Sequence, residues 1–401
     1  MIGRDMSTGS GTSGKGVYDV VVVGLGAMGS AALYQLARRG ARVLGIDRFR
    51  PPHTFGSSHG DSRITRQAIG EGAVYTPLVL RANQIWEELE ARTGEALLYR
   101  IGALVFGNPG SGAPMHKRTD FLARTMSVAV EFGIPHELLT GSSLRERFPQ
   151  FRFADDDVGY FEPGGGYLRP ERCVEAQLRV AEALGADVRF DTVVSGIEPT
   201  GDGDTVVRTA KGTVRARRVV LSAGPWAVDF LSPSCLEHVG VYRQVVAWFR
   251  PKGVFAEHEP ARMPVFIRQP SPGEIPVYGL PAIDANGVKV ASEQHVTRCR
   301  PEASSPVVEP AEREGLLRAG RQALRLTDEC TRAISCLYTV TSDGHFVIDW
   351  HPELPGTLLV SPCSGHGFKH SAAIGELAAQ LTLDEAPALD ISAFALSRFG
   401  A

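Results

Sequence analysis

The sequence predicts an α/β (α+β) fold: a Rossmann-type domain built from separated chain segments, joined to a second domain with a mixed sheet. Three observations point there. An apolar run, Val20 to Val23, passes directly into Gly24-x-Gly26-x-x-Gly29. Helical periodicity starts at Ala27 and gives way to a second apolar run that closes on Asp47. Far downstream another buried-strand run, Val219 to Ser222, enters Ala223-Gly224, as a strand returning to the first sheet does.

Four apolar residues in succession suit a parallel strand covered on both faces. After the turn, Ala31, Leu33, Leu36 and Ala37 recur at helical spacing, Arg38 and Arg39 favour the negative helix end, and Gly40 suits a left-handed stop. Arg42 to Ile46 reads as the second strand. Gly24 permits the tight turn, Gly26 leaves room for a pyrophosphate at the backbone, Gly29 allows close helix–strand packing, and Asp47 stands where an acid meets ribose hydroxyls. This combination is that of a dinucleotide site, with FAD and NAD undivided.

Pro77 to Thr93 reads as a helix with the stripe Leu80, Ile85, Trp86 and Leu89. Leu98 to Phe106 reads as a strand pair broken by Gly102, and Met115 to Phe132 as a further helix. Pro170 opens a helix carrying Val174, Leu178, Ala181 and Leu184, stopped by Gly185, with Cys173 in its first turn. Val188–Phe190, Thr205–Thr209 and Thr213–Val214 read as short strands, with a Gly-Asp-Gly turn between the first two. Val241 to Cys330 mixes strands with proline-rich loops. The expected division is a disordered Gly/Ser-rich tail over 1–16, one domain over 17–100, 160–235 and 331–401, and a second over 101–159 and 236–330.

At 401 residues, 43% hydrophobic and 22% charged, the chain can bury a large core. A formal charge of -3 without basic runs argues against nucleic acid and anionic membranes as partners. No stretch has the apolar length of a membrane span. Six scattered cysteines, with neither a C-x-x-C nor a His/Cys cluster at zinc spacing, predict no metal and a reducing, cytoplasmic setting. On spacing alone Cys336, in the apolar run ISCLYTVTSDGHFVID, reads as core filler.

The stretch PPHTFGSSHGDSRITRQAIGEG, Pro51 to Gly72, resembles the family of monomeric sarcosine oxidases and N-methyltryptophan oxidases, flavoproteins of the D-amino-acid oxidase class. YRQVVAWF, SCLYTVTSDGHFVID and SGHGFKHSAAIGE continue the likeness in the same order, from about Tyr18 to the end. The resemblance implies FAD rather than NAD, linked through sulfur at Cys336, and a monomer that oxidises a secondary or N-methyl amino acid with molecular oxygen, releasing hydrogen peroxide. A dehydrogenase with another electron acceptor and a flavin-binding protein without turnover are the alternatives.

Residue by residue, the resemblance places Arg66 and Lys369 on the substrate carboxylate, an arginine fork and a lysine point charge. It places His59 and Arg63 against the flavin ring, where positive charge stabilises the reduced anion, and makes Lys289 the lysine of oxygen activation. Tyr278 and Tyr338 match aromatic residues of the reaction cavity, with Tyr278 counted among the catalytic candidates. Ser58 and the run Gly365, His366, Gly367, Phe368 and Lys369, which leads into a helix, match flavin-binding positions. Two positions depart from the family: Ile69 replaces a cavity tyrosine and Glu293 stands where a histidine is usual. Both place the expected substrate away from sarcosine, towards a larger side chain, a basic one included.

Overall fold

The computed structural model describes residues 16–115, 118–361 and 363–400; the expected tail lies outside the described residues apart from Gly16. Five strands run parallel in the order Asp187–Arg189, Val43–Ile46, Tyr18–Val23, Gly212–Leu221 and Thr357–Val360. Successive side chains of a strand point to opposite faces. Val20 and Val22 accordingly enter the core formed with helices Ala27–Arg38, Thr76–Thr93, Pro170–Ala183 and Ser371–Thr382, while Val21 and Val23 enter a second core on the other face. That double coverage is why the run is apolar throughout.

The first βαβ unit follows its sequence reading. The helix spans Ala27–Arg38 and Gly40 takes a φ of 75°. Pro170–Ala183 and the positive φ of Gly185 do the same, except that Leu184, expected on the apolar stripe, caps the helix and is exposed.

Elsewhere the structure differs in ways that have local causes. Thr213–Val214 and the run from Val219 to Leu221 are parts of one strand, Gly212–Leu221, whose exposed arginines Arg215 and Arg217 interrupt the apolar run without breaking the backbone; Ser222 lies just past its end. A strand that the pattern does not reveal, Val194–Pro199, buries only Ile197, and the Gly-Asp-Gly turn joins this strand to Thr205–Thr209. The helix expected from Met115 begins at Phe121 instead. Met115 and Arg118 exchange both backbone hydrogen bonds, at 2.7 and 2.8 Å, so the Arg118 N–H is spent on a bridge and not on a helix. Leu98–Arg100 and Ala103–Gly107 belong to different sheets, and Gly102, at φ 84°, makes the change of direction.

The second sheet has eight strands in the order Leu326–Thr341, Val239–Pro251, Val288–Ala291, Val277–Leu280, Val265–Arg268, Ala103–Gly107, Val158–Glu162 and Glu137–Thr140. Its register sets the chemistry. Cys336 lies opposite Gln244, and Lys289 opposite Trp248. Ile334, Cys336 and Tyr338 are two residues apart and share one face. That face meets the loop after Val43–Ile46, and the strand Arg63–Thr65 of a small third sheet lies beside it.

Candidate active site

A cavity of about 690 Å³ runs from the glycine turn to the face carrying Cys336. At the turn, Gly24 takes a φ of 88°, and a Cβ there would lie 2.5 Å from the Ser222 carbonyl oxygen. A Cβ on Gly29 would lie 1.7 Å from the Gly24 oxygen, so Gly29 packs helix on strand and does not line the cavity. Gly26 borders the cavity beside Ser58, whose hydroxyl accepts from the Ala27 N–H at 3.1 Å. Asp47 accepts from the Leu25 and Phe49 N–H groups at 2.6 and 2.8 Å, ordering the turn while keeping lone pairs for a further donor. Burial raises its pKa, against the pull of those donors and of nearby His53.

At the far end, Arg63 donates to the carbonyls of Ser62 and Ser57 at 2.9 and 2.7 Å, which fixes its guanidinium at the cavity wall. His59 is buried, and its Nε2 makes no hydrogen bond among the described residues. Burial, reinforced by Arg63 and Lys289, lowers its pKa to about 4. Of the two groups expected to bring positive charge, only Arg63 does so; His59 is neutral at pH 7 in this setting.

Lys289 is buried, donating to the carbonyls of Gly60 and Ser62 at 2.7 and 3.0 Å, with its ammonium 5.2 Å from the centre of the Trp248 ring. Burial first, and then Arg63, lower its pKa to about 7. Burial raises the Cys336 thiol, while Arg63, Lys289 and Arg243 pull it down. The cysteine is therefore a protonated thiol near neutral pH in the ligand-free protein.

The third part of the cavity gathers the groups assigned to substrate. Arg66, only 1% exposed, donates to the Ala68 carbonyl at 2.6 Å and to Glu71 Oε2 at 2.5 Å, with Phe121 under its guanidinium. Glu71 was missed by the motif reading, although it is the acid of the Gly70-Glu71-Gly72 run within the same stretch. Two of the five guanidinium donors are thus engaged, and the others remain for a carboxylate. Lys369 is buried and donates to the His366 carbonyl at 2.7 Å; burial lowers its pKa to about 8, with Glu71 opposing. The Tyr278 and Tyr338 hydroxyls meet at 2.8 Å, and both rings border the cavity.

Gly365, at φ 82°, lies under the Tyr338 ring, and His366, Gly367, Phe368 and Lys369 continue the wall before helix Ser371–Thr382. Glu293 borders the cavity too, its Oε1 3.4 Å from the position of a Cβ on Gly365. Ile69 does not border it. Its side chain is fully buried, in the same hydrophobic core as Tyr75 and Leu78. Among the described residues no group of three or more His, Cys, Asp or Glu is placed to hold a metal ion.

Residues 19–381 match the model of the DAO family, described as FAD dependent oxidoreductase. The chain belongs to this family. Over 393 residues it is 37% identical to a monomeric sarcosine oxidase from Streptomyces avermitilis, covering 96% of this chain and 98% of that protein. An N-methyl-L-tryptophan oxidase from Yersinia pestis is 36% identical over 386 residues, covering 95% and 99%. Among solved structures, NikD, an unusual amino acid oxidase essential for nikkomycin biosynthesis, superposes with a TM-score of 0.80 at 26% identity over 94% of this chain and 97% of that one.

The cavity fits the cofactor of this family of oxidoreductases. Gly24 and Gly26 keep the nucleotide end clear of side chains. The buried His59 Nε2 and Thr339 Oγ1, which make no hydrogen bond among the described residues, are polar atoms that a ligand can meet.

Proposed function

We propose that the chain is an FAD-dependent oxidase of a secondary or N-methyl amino acid, yielding an imine that water hydrolyses, and hydrogen peroxide. When bound, the flavin supplies the acceptor for a hydride and relays electrons to oxygen. The observation that carries the reading is the convergence on one cavity of a dinucleotide turn, the Arg66–Lys369 cation pair, Lys289 and Cys336. Gly24, Gly26, Asp47 and Ser58 would hold the nucleotide; His59, Arg63 and the Gly365–Phe368 wall would enclose the ring. Arg66 and Lys369 would bind the substrate carboxylate, because two buried cations favour an anion over water at that place. Tyr278 and Tyr338, joined through their hydroxyls, would close the side of the cavity and exclude water from the reacting carbon. Relatives named monomeric, together with six free cysteines, support a monomer in a reducing, cytoplasmic setting.

The division into two domains belongs to the same proposal. The parallel sheet would serve the nucleotide and the eight-stranded sheet the substrate, with Leu326–Thr341, which runs across the expected boundary at 330/331, presenting Cys336 and Tyr338 between them. With Ile69 in the core, the case for a substrate larger than sarcosine loses one of its two supports. Peroxide release across sarcosine, N-methyl derivatives of larger amino acids and pipecolate tests both points. Turnover of at least one secondary amino acid is expected, and silence across the whole panel would remove the function.

The covalent link at Cys336 is proposed on its placement: the thiol borders the cavity within reach of the fields of Arg63 and Lys289, which favour loss of its proton. After acid precipitation the yellow colour is expected in the pellet of the wild type and in the supernatant of Cys336→Ser. A white wild-type pellet would refute the link.

A further inference from the structure

The Lys289 ammonium donates to the carbonyls of Gly60 and Ser62 at 2.7 and 3.0 Å, so its place depends on how that short stretch is held. The Gly60 carbonyl also accepts the Ser62 N–H at 2.8 Å, which closes Gly60, Asp61 and Ser62 into a three-residue turn. Its middle residue, Asp61, takes a φ of 70°, in the left-handed region that a residue with a Cβ adopts at a cost. Such a turn persists where its surroundings over-determine it. Gly60, at φ 98°, leaves no room for a side chain, since a Cβ there would lie 2.9 Å from Ile334 Cδ1 and 3.8 Å from Lys289 Nζ.

The restraint comes from two distant segments. Glu171, in the first turn of helix Pro170–Ala183, accepts the Gly60 and Asp61 N–H groups on one carboxylate oxygen, at 2.6 and 3.0 Å. The Asp61 carboxylate accepts from Arg332, whose guanidinium lies 4.5 Å from the centre of the Trp248 ring, the ring that the Lys289 ammonium also faces. A trans peptide is planar, and its N–H and C=O point in opposite directions. The hydrogen bond from the Asp61 N–H to Glu171 therefore aims the Gly60 carbonyl away from the helix, towards Lys289. Backbone donors to a carboxylate make bonds of the stronger kind.

Resting on the reading of Lys289 given above, we propose that Glu171 is a positioning residue for the reaction with oxygen: by holding the Gly60–Asp61 peptide, it aims the carbonyl that fixes the Lys289 ammonium.

The charges around the ammonium agree. Burial and then Arg63 lower the pKa of Lys289, while Cys336, Asp61 and Glu171 oppose them. His59, on the same loop as the turn, is neutral, and Arg332 is paired with Asp61. Loss of the Glu171 carboxylate thus removes an anion and releases the Gly60 carbonyl, and both changes drive Lys289 further towards the neutral amine.

Stopped-flow reoxidation of the reduced holoenzyme, followed against pH, tests this. Glu171→Ala should slow reoxidation about tenfold at pH 7 and move the alkaline fall of the rate to lower pH. Glu171→Gln, whose amide oxygen still accepts an N–H, should lie between Glu171→Ala and the wild type, and it carries the comparison if the alanine variant does not fold. Anaerobic reduction by substrate should change much less. In a Lys289→Met background the same substitutions should have no further effect on reoxidation, because Glu171 acts through the ammonium. A readout without turnover comes from NMR of the oxidised holoenzyme labelled in its lysine side chains. The chain has six lysines, and the signal missing from Lys289→Met identifies the one concerned. Its titration midpoint should fall when Glu171 is replaced.

Wild-type reoxidation with a wild-type pH profile in both Glu171 variants would overturn the proposal. So would an equal loss in the wild-type and Lys289→Met backgrounds, which would make Glu171 a support of the fold alone. If Lys289→Met itself reoxidises like the wild type, the reading of Lys289 falls and takes the proposal with it.

Discussion

Lys289→Met is expected to slow reoxidation of the reduced enzyme by oxygen by about 10²–10³-fold, while anaerobic reduction by substrate changes little. The ammonium is held rigidly by two carbonyls against the Trp248 ring, so it offers a fixed positive charge to negative charge developing on oxygen, with no reorganisation. Methionine keeps the volume and removes the charge. The sign of the pH dependence follows from the depressed pKa. Burial favours the neutral amine, so the useful ammonium is lost as pH rises through its folded pKa, about 7 in the ligand-free protein and higher beside an anion. Reoxidation of the wild type should therefore be faster at pH 6 than at pH 9, and that difference should vanish in Lys289→Met. Stopped-flow absorbance separates the two half-reactions. Reoxidation unaffected by the substitution would favour a dehydrogenase with another acceptor.

The second large effect distinguishes two cations with the same assigned task. Lys369→Met and Arg66→Gln should each raise KM by losing a charge-assisted contact of about 1.5–3 kcal/mol. Their cost to stability should differ. Arg66 and Glu71 form an ion pair in which both side chains are buried, at 1% and 6% exposure. Removing the guanidinium breaks this buried ion pair, which typically costs about 3–5 kcal/mol. Lys369 is a buried amine whose burial already disfavours its charge, so Lys369→Met removes a desolvated group and should leave stability nearly unchanged. Denaturant unfolding of the two variants, alongside KM for an amino acid and its ester, checks both halves. Equal turnover of acid and ester by the wild type would remove the carboxylate role from both residues.

How much of this was legible in the sequence depends on the range of the interaction concerned. The glycine turn, its helix and the strand ending at Asp47 lie within some thirty contiguous residues, and glycine conformation, helical period and strand period act over that distance. Val194–Pro199 escaped because one buried isoleucine leaves no period to detect. The helix expected from Met115 failed because a backbone bridge between Met115 and Arg118 leaves no trace in side-chain pattern. Long motifs brought Arg66, Lys289, Cys336 and Lys369 into view as candidates, and the cavity gathers all four.

By itself the sequence determined the Rossmann-type unit and its family, since both are written in residue types at short, fixed spacings. Only the tertiary structure decided what each candidate meets. Ile69 turned out to be core, Glu71 a buried partner of Arg66, His59 a neutral imidazole and Cys336 a protonated thiol. The physical reason is common to all four. Desolvation and charge pairing depend on which distant segments close over a side chain, as Lys289 closes over Gly60 and Ser62 from more than two hundred residues away. A linear spacing records which residues share a face, but only folding sets the dielectric and the neighbours that give that face its chemistry.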